Sequence, residues 1–182
     1  MTMRNRMAGM ALAALCLLGI SGADARAAEL PPLSHSLTTL APKAAPALKL
    51  NDLDGAVHDL AQLGGRVVLI NFWATWCPPC RREMPSLERL SQALKGEAFS
   101  VLAVNVGEDA DTIDTFTGQF DTELSLPILL DSRSRSMQAW SVAGLPTTFL
   151  VDKRGRIVAR AIGGREFDHP EMIRAIRKLL KQ

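Results

Sequence analysis

Val67-Val68-Leu69-Ile70-Asn71-Phe72-Trp73-Ala74-Thr75-Trp76-Cys77-Pro78-Pro79-Cys80 decides how this chain folds. Its first half, Val67 to Trp73, is a nearly continuous apolar, β-rich run, the pattern of a strand buried on both faces. Beyond the cysteines, Met84, Leu87, Leu90 and Leu94 recur at helical spacing. The Cys-x-x-Cys pair therefore stands at a strand-to-helix junction. There the first sulfur meets free backbone amides and the positive end of the helix dipole, both of which favour a thiolate. Such a junction suits a redox-active dithiol that closes to a disulfide. Cys77, nearer the strand end, is expected to be the exposed nucleophile, and Cys80, inside the helix, the shielded partner.

A Cys-x-x-Cys is also half of a four-ligand zinc site. The other half is missing. The third cysteine, Cys16, lies far upstream, and His35, His58 and His169 are scattered singly, so no second ligand pair stands at a metal-site spacing and no metal is expected. Two prolines support the redox reading. Pro85 falls inside the helical pattern and should kink that helix. Pro146, in Gly144-Leu145-Pro146-Thr147-Thr148-Phe149-Leu150-Val151, stands at the entry to an apolar strand, where it would remove a ladder hydrogen bond unless it occupies a turn or edge. It is a candidate cis bond.

From about Ala47 to the C-terminus the chain resembles the thioredoxin superfamily, and within it the TlpA and ResA type of bacterial extracytoplasmic thiol-disulfide oxidoreductase. The resemblance rests on Asn71 to Glu83, on Val104-Asn105-Val106-Gly107-Glu108, and on Gly144 to Asp152, three motifs in the family's order. It implies an α/β thioredoxin-like fold: a central mixed sheet flanked by helices, with an N-terminal β-hairpin and a TlpA-type insertion before the cis-proline. Cytoplasmic thioredoxins carry a buried aspartate two residues before the first tryptophan. Here Asn71 stands there, which removes the usual proton acceptor. In ResA-like proteins a glutamate three residues after the second cysteine is implicated instead, and Glu83 occupies that place. Helical spacing puts Glu83 and Cys80 on one face, and burial would raise its pKa enough to make it an acceptor for Cys80. The bland alternative is a surface glutamate near a helix N-terminus.

The resemblance also implies a partner-binding surface made of Trp76, Pro79, Leu145 and Pro146. In the superfamily the peptide before the proline faces the first cysteine and pairs with the partner's chain, a local form of strand addition. Ordinary packing is as good a reading of Trp76, and turn-fixing of Pro146. Trp73, mid-strand, reads as core. Glu108 precedes a helix among Asp109 and Asp111 and reads as serving its dipole. Arg81 and Arg82 read as solvated.

The first residues read as a secretory signal. Arg4 and Arg6 form a basic start, Met7 to Ile20 an apolar core, and Ala23-Asp24-Ala25 or Ala25-Arg26-Ala27 a cleavage site, so residues 1–27 are assigned to a signal peptide, or to an uncleaved anchor. Cys16 falls in that apolar core behind Leu15, where a lipid attachment site needs a small residue. Removing the segment leaves two cysteines, the count one reversible disulfide requires. An exported, periplasmic reductant needs electrons carried across the membrane. The resemblance implies a donor of the DsbD or CcdA type. It implies as substrates disulfide-containing exported proteins: apocytochrome c for ResA-like and CcmG-like proteins, copper-site proteins of cytochrome oxidase for TlpA-like ones. The 21 basic and 19 acidic residues leave a formal charge of +2, too balanced for nucleic acid or an anionic surface.

Residues 28–46, with Pro31, Pro32, Pro42 and Pro46 and no sustained periodicity, read as a flexible or partly extended linker, which leaves residues 47–182 as one domain. Within it Leu48–Leu50 and Ala56–His58 flank Asp54-Gly55 as a hairpin. Phe99–Asn105 reads as a strand parallel to Val67–Trp73. Ile113, Phe116 and Phe120 mark a helix face, Leu126–Leu130 a strand, and Met137 and Trp140 a helical turn. Thr147–Val151 and Arg156–Ile162 read as a hairpin. Asp168 and Glu171 read as the capping box of a final helix, with Pro170 in its first turn.

Two other functions compete. A dithiol suits Cu(I), although no Met or His cluster accompanies these cysteines. A peroxiredoxin-like peroxidase would carry a hydroxyl residue where Ala74 stands. No cofactor is expected. Pro78 and Pro79 lack N–H groups, so the Cys77 thiolate is less stabilised than it could be and the reduction potential should be low.

Overall fold

The structure is a computed structural model that describes residues 32–120 and 124–182. The signal segment 1–27 and Cys16 lie outside the described residues. One compact unit runs from Pro32 to Gln182.

Strand β4 (Val67–Trp73) is the centre of a six-stranded sheet and every residue in it is buried. Its side chains alternate between two cores, which is why the apolar run is continuous. Val67, Leu69 and Trp73 face α1 (Pro78–Ala93) and α4 (Pro170–Leu180), packing with Met84, Leu87, Leu90, Met172 and Ile176. Val68, Ile70 and Phe72 face the opposite side and pack with Leu48, Phe149 and Trp140, the Phe72 and Trp140 rings being 5.9 Å apart. Each such fully buried side chain contributes roughly 1.5–3 kcal/mol. The same period of two turns Asn71, between Leu69 and Trp73, toward α1.

Strand β5 (Phe99–Val106) lies parallel to β4 from Val67↔Phe99 to Trp73↔Asn105, as expected of a crossover through α1. The block after it folds as α2 (Ala110–Thr117), β6 (Ile128–Asp131) and α3 (Arg135–Ala139), with β6 added parallel to β5 at the sheet edge. On the other side of β4 lie β7 (Thr147–Val151), antiparallel to β4, and β8 (Arg156–Ile162), antiparallel to β7. Strands β2 (Lys49–Asn51) and β3 (Val57–Asp59) form the expected hairpin as a separate two-stranded sheet. Its turn is held by Asp52, whose Oδ1 accepts from the amides of Asp54 and Ala56, and by Gly55 at φ +83°.

Within the segment read as a linker, the described residues 32–46 differ from that reading. Thr38–Ala44 is strand β1, antiparallel to β8, and it closes the other edge of the sheet. Pro42 is tolerated because β1 is an edge strand whose register shifts between Thr39 and Lys43. The domain therefore starts before residue 47, and the hairpin is not its first element. The final helix is capped by His169, whose Nδ1 accepts from the Glu171 amide at 3.3 Å. Asp168 is instead drawn away by Arg89, 2.5 Å distant. Helix α1 continues through Pro85. Among the described residues no helix is long and apolar enough to cross a membrane.

Candidate active site

Cys77 sits at the N-cap of α1, and its sulfur is bonded to that of Cys80 with the two Cα atoms 5.3 Å apart. Pro78 and Pro79 open the helix without amide hydrogens. The Cys80 amide is left as the donor to Cys77 Sγ, at 3.4 Å. Cys77 differs from expectation in being buried, at 3 % exposure, because in the disulfide its sulfur is turned to Cys80; Cys80 is fully buried. Trp76 is 68 % exposed just ahead of it, which excludes the packing role, whereas Trp73 is core. Leu145-Pro146 is a cis peptide bond, Leu145 is half-buried and Pro146 buried. The Pro146 carbonyl accepts from the Gly163 amide at 2.8 Å, which ties the start of β7 to the end of β8.

Glu83 is the buried carboxyl of the site, with no exposure. One turn beyond Cys80 on α1, it faces Asn71 of β4. Asn71 Nδ2 donates to Glu83 Oε1 at 2.7 Å and to Thr148 Oγ1 at 3.0 Å. The Arg165 amide donates to Glu83 Oε2 at 3.0 Å. Burial pushes the Glu83 carboxyl up to about 8, against the opposing pull of the Asn71 and Arg165 donors and the Arg165 charge. The surface reading of Glu83 is therefore excluded. In the disulfide form this carboxyl holds its proton at neutral pH.

Glu108 has a different role from the dipole partner expected of it. Its carboxylate accepts from the Thr75 amide (2.8 Å), the Thr75 hydroxyl (2.5 Å) and Asn105 Nδ2 (2.7 Å). It thus pins the turn between β4 and the cysteines to the end of β5. Asp109 caps α2 instead, accepting from the Thr112 amide at 2.8 Å. Arg81 lies over the Phe116 ring, 5.0 Å from its centroid. Thr148 and Arg165 were not singled out by sequence reasoning. The Thr-Thr after Pro146 was legible as part of a motif; nothing local marked Arg165, which is 82 residues from Glu83.

His35 and His169, far apart in sequence, are stacked with ring centroids 3.8 Å apart and planes 18° apart, and Glu171 Oε2 is 3.1 Å from His35 Nε2. These are the described residues that come nearest to a metal-binding group. Near-parallel rings direct their lone pairs alongside one another rather than to a common point, and His169 Nδ1 is taken by the helix cap. The trio is a clasp between two chain segments.

A family model described as Redoxin matches residues 40–176. The chain belongs to the Redoxin family. It is 32 % identical over 155 residues to the thiol-disulfide oxidoreductase ResA of Bacillus subtilis (strain 168), covering 85 % of this chain and 82 % of that protein. It is 42 % identical over 113 residues to the ResA of Geobacillus thermodenitrificans, a stretch that spans 62 % of this chain and 64 % of the relative's length. Its fold matches the crystal structure of a thiol:disulfide interchange protein, a thioredoxin family protein from Chlorobium tepidum TLS. The TM-score is 0.65 at 25 % identity, covering 78 % of this chain and 98 % of the other. This Redoxin-family chain therefore has the thioredoxin-like α/β fold.

Proposed function

We propose that this protein is an exported dithiol oxidoreductase that reduces disulfides in partner proteins. The observation that carries the reading is the fully buried Glu83, held by the neutral Asn71 amide one turn below the Cys77–Cys80 disulfide. The reduced Cys77 thiolate attacks one sulfur of the partner disulfide, forms a mixed disulfide, and releases the other partner sulfur as a thiolate. Cys80 then attacks Cys77 Sγ. Its proton passes to Glu83, the second partner thiolate leaves, and two electrons have moved from the dithiol to the partner. A carboxyl that holds its proton in the disulfide form is the product expected of that transfer. On re-reduction Glu83 returns the proton to Cys80.

Exposed Trp76, half-buried Pro79 and the Leu145–Pro146 edge supply the partner-docking surface. The ResA relatives, named as thiol-disulfide oxidoreductases, support the reaction, and the signal-like segment 1–27 supports a periplasmic location. The motif resemblance to ResA-like and TlpA-like proteins implies a membrane donor of the DsbD or CcdA type and substrates in cytochrome c maturation or copper-site assembly on cytochrome oxidase. The test is trapping. Cys80→Ala should leave partner proteins covalently held on Cys77, released by dithiothreitol; failure to accumulate any mixed disulfide with a disulfide protein substrate would overturn the reading.

A further inference from the structure

Before β1 begins, residues 33–36 lie along the loop that joins β8 to α4. Leu33 Cδ2 lies 3.0 Å from where a Cβ would stand on Gly164, and the Pro79 carbonyl 3.2 Å from it, so Gly164 is wedged between this strap and the turn that carries the cysteines. The Ser34 carbonyl accepts from the Glu166 amide at 2.8 Å, and the Ser36 carbonyl from Arg165 Nε at 2.8 Å. His35, stacked on His169, closes the strap's other side. Arg165 is the centre of the arrangement. Its Nη1 donates back to the carbonyls of Gly163 (3.0 Å) and Gly164 (2.9 Å), so one guanidinium clamps its own loop and the strap together. The amide of this same residue is the one on Glu83.

We propose that Arg165 is a positioning residue for Glu83, whose guanidinium, braced by the strap at residues 33–36, holds the Arg165 amide on the buried carboxylate. Three carbonyls, one on Nε and two on Nη1, are a load that a planar five-donor fork meets and a single ammonium on a flexible stem meets less well. An amide donor favours the charged form of the carboxyl, and so does the guanidinium charge. Loosening the loop therefore makes Glu83 hold its proton more tightly. The groups that face Glu83 are Asn71 from β4, Thr148 from β7 by way of Asn71, and Arg165 from the loop. The other ionisable groups nearby are engaged elsewhere: Glu166 and Asp168 with Arg89 at 3.0 and 2.5 Å, and Glu171 with His35 and Arg174.

The significance of this clamp for catalysis rests on Glu83 accepting the Cys80 proton, and the two claims are separable. In the oxidised protein labelled with carboxyl-13C glutamate, the Glu83 signal is the one absent from Glu83→Gln, and its titration midpoint can be followed directly. Arg165→Ala should move that midpoint up by about one pH unit. Arg165→Lys, which keeps the charge but not the fork, should leave most of the shift in place. An unmoved midpoint in Arg165→Ala, or full recovery of the wild-type midpoint in Arg165→Lys, would overturn the positioning role, the latter assigning the effect to charge alone. Failure of the proton-acceptor reading would show elsewhere, as a Cys80 reactivity profile unchanged by Glu83→Gln.

Discussion

Asn71 Nδ2 stands 2.7 Å from Glu83 Oε1 and 3.0 Å from Thr148 Oγ1, so a single neutral amide joins helix α1 to strand β7 across the central strand. A neutral donor offsets part of the cost of burying the carboxylate and leaves it able to hold a proton at neutral pH. A cationic neighbour in the same place would hold it ionised. Asn71→Asp puts a second carboxyl at hydrogen-bond distance from Glu83, and the two then share one proton and titrate as a pair. The variant should be near wild type in stability at pH 5 and lose about 2–4 kcal/mol by pH 9, where both groups ionise. Urea unfolding across that range checks it; a loss independent of pH would contradict the like-charge cause.

Glu83 itself should make the oxidised protein less stable as pH rises. Between 4.5, its ordinary value, and about 8, the native state holds a proton that the unfolded chain has released, so this contribution is full below the lower value and is lost through the upper one. Glu83→Gln, which mimics the protonated form, should remove a slope amounting to a few kcal/mol, on the order of 1.4 kcal/mol per pH unit. Thermal or urea unfolding of both proteins from pH 5 to pH 9 measures this. Parallel curves would mean that Glu83 is not protonated in the native state.

The two thiols of the reduced protein should differ in reactivity. Cys77 caps the helix at the end of the turn and its sulfur receives the Cys80 amide, while Cys80 lies within the first turn of α1 with no exposure at all. Alkylation near neutral pH should label Cys77 at least about tenfold faster than Cys80. Comparing the single-cysteine variants decides it, and faster labelling of Cys80 would reverse the assigned roles.

Glu108 should matter through the loop rather than the helix it precedes. Removing its three acceptor contacts leaves the Thr75 amide and Asn105 unpaired, at a cost of about 1–3 kcal/mol in Glu108→Ala. Slower disulfide exchange should accompany the lost stability, because the anchored turn leads directly into Cys77. A variant equal to wild type in both would return Glu108 to the dipole role.

Local pattern made much of this protein legible. The strand Val67–Trp73, the β7–β8 hairpin and the cis-proline before Thr147 are each specified by residues adjacent in sequence, and these fix where the cysteines stand. Features made by distant segments were not legible. Strand β1 has no periodicity of its own and exists because β8 offers it an edge. His35 and His169 looked isolated until β1 and α4 brought them together. Glu108 could be read as acidic and near a helix, but its donors, Thr75 and Asn105, sit at the ends of two parallel strands that only the sheet aligns. The burial of Glu83 likewise depends on Asn71, Thr148 and Arg165, which approach from three separate elements.

The direction of electron flow tests the central claim most directly. Because Pro78 and Pro79 provide no amide to Cys77, the thiolate is modestly stabilised and the disulfide form is favoured. Equilibration of the Cys77–Cys80 pair against a dithiothreitol or glutathione series should give a reduction potential near the thioredoxin value of about −270 mV rather than the DsbA value of about −120 mV. A potential above about −180 mV, the level of protein disulfide isomerase, would make this protein an oxidant or isomerase and contradict its role as a reductant.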